Sequence, residues 1–407
     1  MAYDVLRYYV GPPVMIASTT VLVQWLTLWG CDFTQEWSIY GNEYSWKVVG
    51  ALLLWAYLSL IIPGKEYLGP TTPFGYTPRY KANGLQFFVV SLSAFCYLLY
   101  QRPFTALEIT YNFTHILASC NVLAFILCIY LLLKGKMYPG SSEVVQSKPF
   151  IYEFYRGMEI HPRILGVDVK QLTNCRFGLL AWELLVVNFF VASWILNGFS
   201  WAHFVSAALQ TIYLCKFYWW ETGYFSTLDI TLDRAGYYIC WGCLVWVPSF
   251  YTYSSYYLVT HPSLVNNNAA WLIFVLGFLS ILMNYRIDWE KQHFQNYKGK
   301  CRIWAKQARY IEATIKTATG TRKSKLLISG FWGCARHLNY VFEILAAIAW
   351  CLPGYGYGIW PMLYAYFLTV LLVHRVFRDE EKCSDKYGVY WTKYCQVVPY
   401  RLIPYIF

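Results

Sequence analysis

Long apolar segments alternate with polar, mostly basic segments along the whole chain. Ten of the apolar segments lie near 13–29, 48–62, 85–100, 115–133, 177–196, 202–218, 236–259, 269–285, 338–352 and 359–377. A helix rises about 1.5 Å per residue, so segments of this length cross, or nearly cross, a bilayer core of roughly 30 Å. The pattern therefore predicts an all-α integral membrane protein with about ten transmembrane helices, of which Pro353 shortens the ninth.

The loop charges predict how these helices are oriented. Segments 79–81, 134–176 and 286–325 are rich in Lys and Arg, whereas 31–44 and 260–268 carry few positive charges. Basic loops of membrane proteins stay on the cytoplasmic side. Both termini are therefore expected in the cytosol, and the net charge of +11 is explained by these loops rather than by nucleic-acid binding.

Composition supports a membrane protein and predicts no division into separate domains. Hydrophobic residues make up 57% of the chain and charged residues 14%, compared with about 25% charged in soluble proteins. No linker or repeat interrupts residues 1–407, so we expect one membrane domain, with N-terminal helices in 1–235 and a catalytic half in 236–407. Cys240 and Cys243 form a lone CxxC pair, which predicts no metal site.

The last third of the chain contains two water-facing polar segments, 284–326 and the stretch after Arg375. They bracket the last two apolar segments on the predicted cytosolic side, which favours a cytosol-facing C-terminal pocket for a soluble, charged cofactor. Arg375, Arg378 and Lys386 offer donors for phosphate groups. The alternative is a basic membrane anchor with solvated carboxylates.

Ionisable residues beside the apolar segments are candidates for chemistry, because charges near a bilayer are costly. Glu221 follows the sixth apolar segment, and Arg336 lies before the ninth. Pro248 within the seventh segment predicts a kinked helix. No glycine-rich nucleotide motif follows a strand pattern, so neither a Rossmann fold nor a P-loop is supported.

Segment 371–395 follows, almost throughout, the C-terminal signature of the sterol C14/C7/C24(28) reductases, and only Val389 departs from it. Segment 157–163 resembles an upstream signature of that family. Leu338 between His337 and Asn339, together with the ending 398–407, resembles the Δ7 branch more than the Δ14 branch.

This resemblance implies a ten-span protein of the endoplasmic reticulum, with NADPH entering from the cytosol and a sterol pocket open to the membrane. Gln295 stands where the family often has Arg, so one phosphate contact is either missing or supplied from elsewhere. The implied cofactor contacts, with Arg336 and Arg378 added from the polar segments, are Lys291, Leu327, Trp332, Arg336, Asn339, Tyr340, Arg378, Asp379, Cys383, Ser384, Asp385, Lys386, Tyr387 and Tyr394.

The chemistry of such a substrate predicts the catalytic groups. An unactivated alkene has no oxygen to polarise, so a proton must reach one carbon while hydride captures the cation developing at the other. Tyr251 and Asp379 are the expected proton-delivery pair, with Glu221 as a relay. Trp219 and Trp246 are expected to stabilise the cation.

The expected sterol-binding residues are Trp219, Trp220, Cys243 and Trp246. Three positions depart from the family in this region, because Lys216, Trp220 and Cys243 replace Asp, Asn and Asp. A Δ7-sterol reductase is the first hypothesis. The alternatives are a reductase of a Δ14 or Δ24(28) bond, a non-catalytic sterol-binding protein, and a methyltransferase of the isoprenylcysteine type. Expected partners are the bilayer, a membrane sterol and other membrane enzymes of sterol biosynthesis.

Overall fold

The computed structural model describes residues 2–33, 36–72, 75–140, 148–317 and 320–407. Ten long helices account for most of them, and each coincides with one predicted apolar segment. They are α1 (Leu6–Gly30), α2 (Glu43–Ile61), α3 (Gly84–Gln101), α4 (Phe113–Met137), α5 (Gln171–Asn197), α6 (Trp201–Trp219), α7 (Tyr237–Tyr251), α8 (Asn267–Asn296), α9 (Leu338–Tyr357) and α10 (Trp360–Tyr387).

Eight of these helices are long and apolar enough to cross a membrane. The two others are α6, whose 19 residues include the polar His203, Gln210 and Lys216, and α7, which is π-helical and has only 15 residues. A helix of that length is about 22 Å long, less than the bilayer core. The predicted helical membrane fold is confirmed, with eight helices of spanning length and hydropathy among the described residues.

Short helices connect or extend the long ones. They are Ala2–Val5, Thr105–Tyr111, Phe150–Arg156, Glu221–Tyr224, Leu228–Thr231, Tyr253–Tyr257, Phe331–Cys334 and Val389–Val397. Polar side chains start several long helices: Asn42 caps α2 and Asn266 caps α8, each by accepting a backbone N–H. Such caps satisfy donors that the first helical turn leaves without partners.

Four antiparallel strand pairs, which the sequence pattern did not predict, supplement the helices. They are β1 (Glu66–Leu68) with β2 (Arg79–Lys81), β3 (Arg163–Ile164) with β4 (Val167–Asp168), β5 (Arg302–Ile303) with β6 (Lys306–Gln307), and β7 (Tyr310–Thr317) with β8 (Gly320–Leu327). The β7–β8 pair lies in the basic segment between α8 and α9. Ala313 and Ile315 of β7 are buried, and β7 packs against α10.

One large hydrophobic core joins helices from both halves of the chain, from Val23 in α1 to Leu372 in α10. Helix α8 packs on α9 and α6, and α4 packs on α7. This core includes residues on both sides of residue 235. The division of the chain at that residue stays a prediction. The polar ends of α8, α9 and α10 meet outside this core, and there they form the first part of the candidate site.

Candidate active site

The polar end of α8 brings three predicted cofactor residues together. The Nζ of Lys291 lies 4.0 Å from the centre of the Trp332 ring, and Trp332 Nε1 donates to the carbonyl of Ile287 at 2.9 Å. Leu327, at the end of β8, packs in the same small apolar cluster as Trp332 and Ile287. The β7–β8 pair and the turn after it therefore place the Trp332 ring beside the Lys291 ammonium group of α8.

Asp379 stands at the polar end of α10 beside His337 and Cys383. Its Oδ2 lies 3.8 Å from His337 Nε2, and the Cys383 thiol donates to it at 3.9 Å. Burial, only partly offset by Asp379, lowers the pKa of His337 to about 4. The imidazole is therefore neutral at neutral pH, and it stacks on Tyr340 with ring centres 5.2 Å apart.

Arg336 and Tyr394 attach the C-terminal segment to this region. Arg336 Nη2 forms an ion pair with Glu380 Oε1 at 2.8 Å, and Nη1 donates to the carbonyl of Val398 at 3.3 Å. Tyr394 donates to the carbonyl of Trp332 at 3.4 Å, and burial raises its pKa. Arg336 and Tyr394, both predicted as cofactor contacts, thus bind backbone carbonyl groups of neighbouring segments.

A groove on α10 contains three of the predicted cofactor residues; it is lined by Arg378, Glu381, Lys382, Asp385 and Lys386. Arg378 already has a partner, since its Nη2 donates to Asp233 Oδ1 at 3.0 Å. The same oxygen accepts from Arg156 at 2.9 Å. Burial raises the pKa of Asp233, but these two guanidinium groups lower it further, so the net shift is downward.

Lys382 lies in this groove and was missed by the sequence analysis. Its ammonium group is close enough to Asp379, Lys386 and Lys291 to interact with each of these charges. None of the three lysines forms an ion pair with a carboxylate within the described parts of the chain. The missed signal was helical spacing: Arg378, Lys382 and Lys386 recur every four residues, which places them on one helix face.

The β7–β8 pair reaches the last turn of α10. Ser324 and Tyr387 have their hydroxyl oxygens 3.5 Å apart, and Lys386 Nζ lies 5.0 Å from the Tyr387 ring centre. The side chains of Ser384 and Asp385 are exposed on the same turn. All the cofactor residues predicted between 383 and 387 therefore surround one end of the groove.

A second set of polar residues lies between α6, α8 and α9. Lys216 Nζ donates to Asn284 Oδ1 at 2.5 Å, Asn284 Nδ2 donates to the carbonyl of Asn339 at 3.0 Å, and Asn339 Nδ2 donates to Asp288 Oδ1 at 2.9 Å. Of these four, only Asn339 was predicted as a cofactor contact. Asn284 and Asp288 are polar residues at the end of an apolar segment. That position could have identified them as candidate site residues.

The sterol side of the prediction centres on a group of aromatic rings. Trp246 stacks on Phe250 with centres 4.3 Å apart and planes at 9°. The Tyr251 ring lies 4.7 Å from that of Tyr364, and Phe367 contacts both Trp246 and Tyr251. Trp246 Nε1 is buried without a hydrogen-bond partner among the described residues. Trp246 and Tyr251 are thus brought together against α10.

The other predicted sterol residues have different neighbours. Trp219 ends α6 with 67% of its surface exposed, and Trp220 packs edge-on against Tyr285. The Cys243 thiol donates to Asn174 Oδ1 at 3.6 Å. Within the described residues, Trp246 is the predicted sterol contact that shares a ring neighbour with Tyr251.

Glu221 is buried in an ion pair with Arg176. Arg176 Nη1 donates to Glu221 Oε1, and Nη2 donates to Oε2 at 3.1 Å and to Asn83 Oδ1 at 2.9 Å. Such a two-point contact is a strong, well-oriented form of ion pair. Both carboxylate oxygens are therefore engaged, and the predicted proton-relay role would have to operate through this pair.

Tyr251 and Asp379 are not in contact with each other. Tyr251 packs on Phe367 of α10, and Asp379 lies twelve residues further along the same helix. That separation is about 18 Å along the helix axis. The two predicted proton-delivery groups consequently stand at opposite ends of the candidate site: Tyr251 among aromatic rings, and Asp379 beside the basic groove.

The apolar helices, the ring-lined interior and the basic groove together define a multi-pass membrane protein with a polar site at the end of its last helices. The sequence profile described as the ergosterol biosynthesis ERG4/ERG24 family matches residues 12–407. The chain therefore belongs to this family of sterol reductases, and the family resemblance of segment 371–395 is confirmed. It is an oxidoreductase that acts on sterols.

Individual relatives extend the comparison. The chain is 42% identical over 369 residues to 7-dehydrocholesterol reductase of Arabidopsis thaliana, covering 89% of this chain and 85% of that protein. It is 34% identical over 377 residues to 7-dehydrocholesterol reductase of Xenopus laevis, covering 91% and 80%. It is 32% identical over 364 residues to Delta(14)-sterol reductase of Dictyostelium discoideum, covering 86% and 75%.

Proposed function

We propose that this protein uses NADPH to reduce the Δ7 double bond of a sterol. The observation that carries the choice of bond is the 42% identity, over 89% of the chain, to a protein named 7-dehydrocholesterol reductase. The geometry adds support for the reaction type. A basic groove and an aromatic cluster lie at opposite ends of one helix, α10, so an extended dinucleotide and a flat hydrocarbon can be bound end to end.

The residues of the groove fit a dinucleotide phosphate. Lys291, Lys382 and Lys386 offer ammonium donors for phosphate oxygens, and this set supplies positive charge that Gln295 lacks. Asn339 Oδ1 is buried without a hydrogen-bond partner among the described residues, which suits an amide N–H of a ligand. When bound, NADPH supplies the hydride.

The chain itself has to bind the sterol, exclude water and donate a proton. We assign the proton to Tyr251 Oη, because its ring is enclosed by Trp182, Tyr364 and Phe367. Trp246 offers a ring face to a developing cation. Asp379 is assigned to the cofactor end, where it keeps His337 and Cys383 in place, and its part in proton delivery stays a prediction, like the relay role of Glu221.

A Δ14 bond is the second candidate substrate. The 32% identity to the Delta(14)-sterol reductase of Dictyostelium discoideum favours it. The same aromatic cluster would serve either bond, since both are alkenes of a fused ring system.

The test of the proposed function is sterol profiling in yeast membranes that contain this chain, supplied with NADPH and either 7-dehydrocholesterol or a Δ14 sterol. Appearance of cholesterol from the first substrate supports the Δ7 assignment. Reduction of the Δ14 sterol alone supports the second candidate. Folded protein that binds NADPH but reduces neither sterol contradicts both assignments, and folded protein that fails to bind NADPH supports a non-catalytic role.

We also propose that the protein resides in the endoplasmic reticulum with both termini in the cytosol. The basic segments after α4 and α8 support this orientation through the positive-inside rule. The basic groove then faces the compartment that supplies NADPH. Association with other membrane enzymes of sterol biosynthesis stays a prediction.

Lys382→Ala is expected to raise the KM for NADPH. A hydrogen bond from an ammonium group to phosphate contributes about 1.5–3 kcal/mol, so KM should rise roughly ten- to a hundredfold while kcat changes little. Initial rates at varied NADPH measure this. Lys300→Ala, a similar loss of charge at an exposed position, is the matched control. An unchanged KM in the Lys382 variant would remove this residue from the phosphate site.

A further inference from the structure

The polar contacts between α6, α8 and α9 determine how the Asn284 amide is oriented. An ammonium group only donates and a carbonyl only accepts, so Oδ1 must face Lys216 and Nδ2 must face the backbone of Asn339. The distances, 2.5 Å and 3.0 Å, fit both contacts. Asn284 is 4% exposed, so water does not compete for either contact.

Asn339 is held by the same face of α8 at a second point. Asp288 follows Asn284 by one helical turn and accepts from Asn339 Nδ2 at 2.9 Å. Because that contact requires a donor, the other end of the Asn339 amide must be the oxygen. This oxygen, Oδ1, is buried and has no partner within the described residues. A buried acceptor without a donor is costly, so its position indicates a missing ligand donor.

Lys216 is the outer member of this set. It lies on α6 with Nζ 4.4 Å from the Tyr213 ring centre, and the Asp288 carboxyl is near enough to interact with the charges of Lys216 and Lys291. Replacing Lys216 with a residue that cannot donate would leave Asn284 Oδ1 buried and free the Asn284 amide to turn over. The contact of Asn284 with the backbone of Asn339 would then be lost.

We propose that Lys216, Asn284 and Asp288 form a positioning brace that presents the free Oδ1 of Asn339 to the carboxamide NH₂ of the nicotinamide ring. The inference rests on the proposed use of NADPH. It assigns Lys216, one of the departures from the family pattern, a role in cofactor recognition. The three residues act through Asn339 and are therefore positioning residues.

The brace predicts selectivity for one functional group of the cofactor. The 3-acetylpyridine analogue of NADPH carries a methyl ketone in place of the carboxamide, so it has no N–H for Asn339 Oδ1. The wild-type protein should bind NADPH about tenfold more tightly than this analogue, because the analogue leaves a buried acceptor without a donor.

The experiment measures the dissociation constants of both nucleotides by tryptophan fluorescence quenching in purified protein, without turnover. Lys216→Met should reduce the preference for NADPH to about twofold, mainly by weakening NADPH binding. Lys216→Arg keeps a donor and should restore most of the preference. Lys47→Met is the matched control, since Lys47 lies on α2 with 73% of its side chain exposed.

Asn284→Ala provides a second variant that should also lose the preference, in case the Lys216→Met protein does not fold. A wild-type protein that binds both nucleotides equally, or a preference that survives both substitutions, overturns the brace and leaves the proposed function intact. Failure of the wild-type protein to bind either nucleotide overturns the proposed cofactor and the brace together.

Discussion

Tyr251→Phe is expected to lower the rate of sterol reduction by about 10²- to 10⁴-fold, the usual contribution of a positioned general acid. The substitution removes one hydroxyl and keeps the ring. The contacts of that ring with Trp182, Tyr364 and Phe367 should therefore persist. Because the proposed phosphate contacts of NADPH lie at the other end of α10, its dissociation constant should stay within about twofold of that of the wild-type protein.

The size of this effect follows from the substrate. An alkene inside a fused hydrocarbon ring carries no heteroatom, so hydride cannot add until a proton reaches the other carbon. Tyr251 is only partly exposed because aromatic rings pack around it, and this limits the access of water that could replace its proton. Sterol turnover in detergent-solubilised protein at saturating NADPH measures the loss.

Tyr364→Phe is the matched control for this experiment. Tyr364 lies 4.7 Å from Tyr251 between ring centres, and its substitution removes the same hydroxyl at a neighbouring position on α10. Its turnover should remain within a few-fold of the wild-type value. Full retention of turnover in the Tyr251 variant would show that the proton comes from another group.

Glu221→Gln is expected to lower the free energy of unfolding by about 3–5 kcal/mol, the usual result of removing one partner of a buried ion pair. Arg176 and Glu221 are 0% and 3% exposed, so the guanidinium left behind cannot regain its hydration. The thermal midpoint should fall by about 5 °C. Thermal unfolding of the purified protein in detergent measures the shift.

Glu66→Gln is the control, because its ion pair with Lys81 is longer, at 3.7 Å, and the Glu66 side chain is 49% exposed. It should change the midpoint by less than about 1 °C. The double variant Arg176→Met/Glu221→Leu should recover stability, since apolar pairs of similar volume replace buried ion pairs well.

Turnover of this stable double variant separates the two roles of Glu221. Activity near the wild-type level would mean that the carboxylate is structural. Loss of turnover with recovered stability would support the predicted proton relay. An unchanged midpoint in Glu221→Gln would instead contradict the structural role of the ion pair.

The sequence alone predicted the long helices well, because apolar length and charge are properties of each segment by itself. All ten apolar segments coincide with long helices, and the family signature in 371–395 located the groove on α10. Even α6 and α7, which do not qualify as complete spans, occupy their predicted positions. The β7–β8 pair was missed, because its exposed β8 strand is mostly polar and has no clear apolar alternation.

The partners of the site residues were decided only by the tertiary structure. Arg378 donates to Asp233 across 145 positions, and Lys216 donates to Asn284 across 68; local sequence contains no signal for contacts at such separations. The sequence determined which residue types were available at the membrane boundary. The packing of α6, α8, α9 and α10 decided which charges are paired, which amide oxygen remains free, and which tyrosine lies among aromatic rings, because these depend on distances between helices rather than on positions within one.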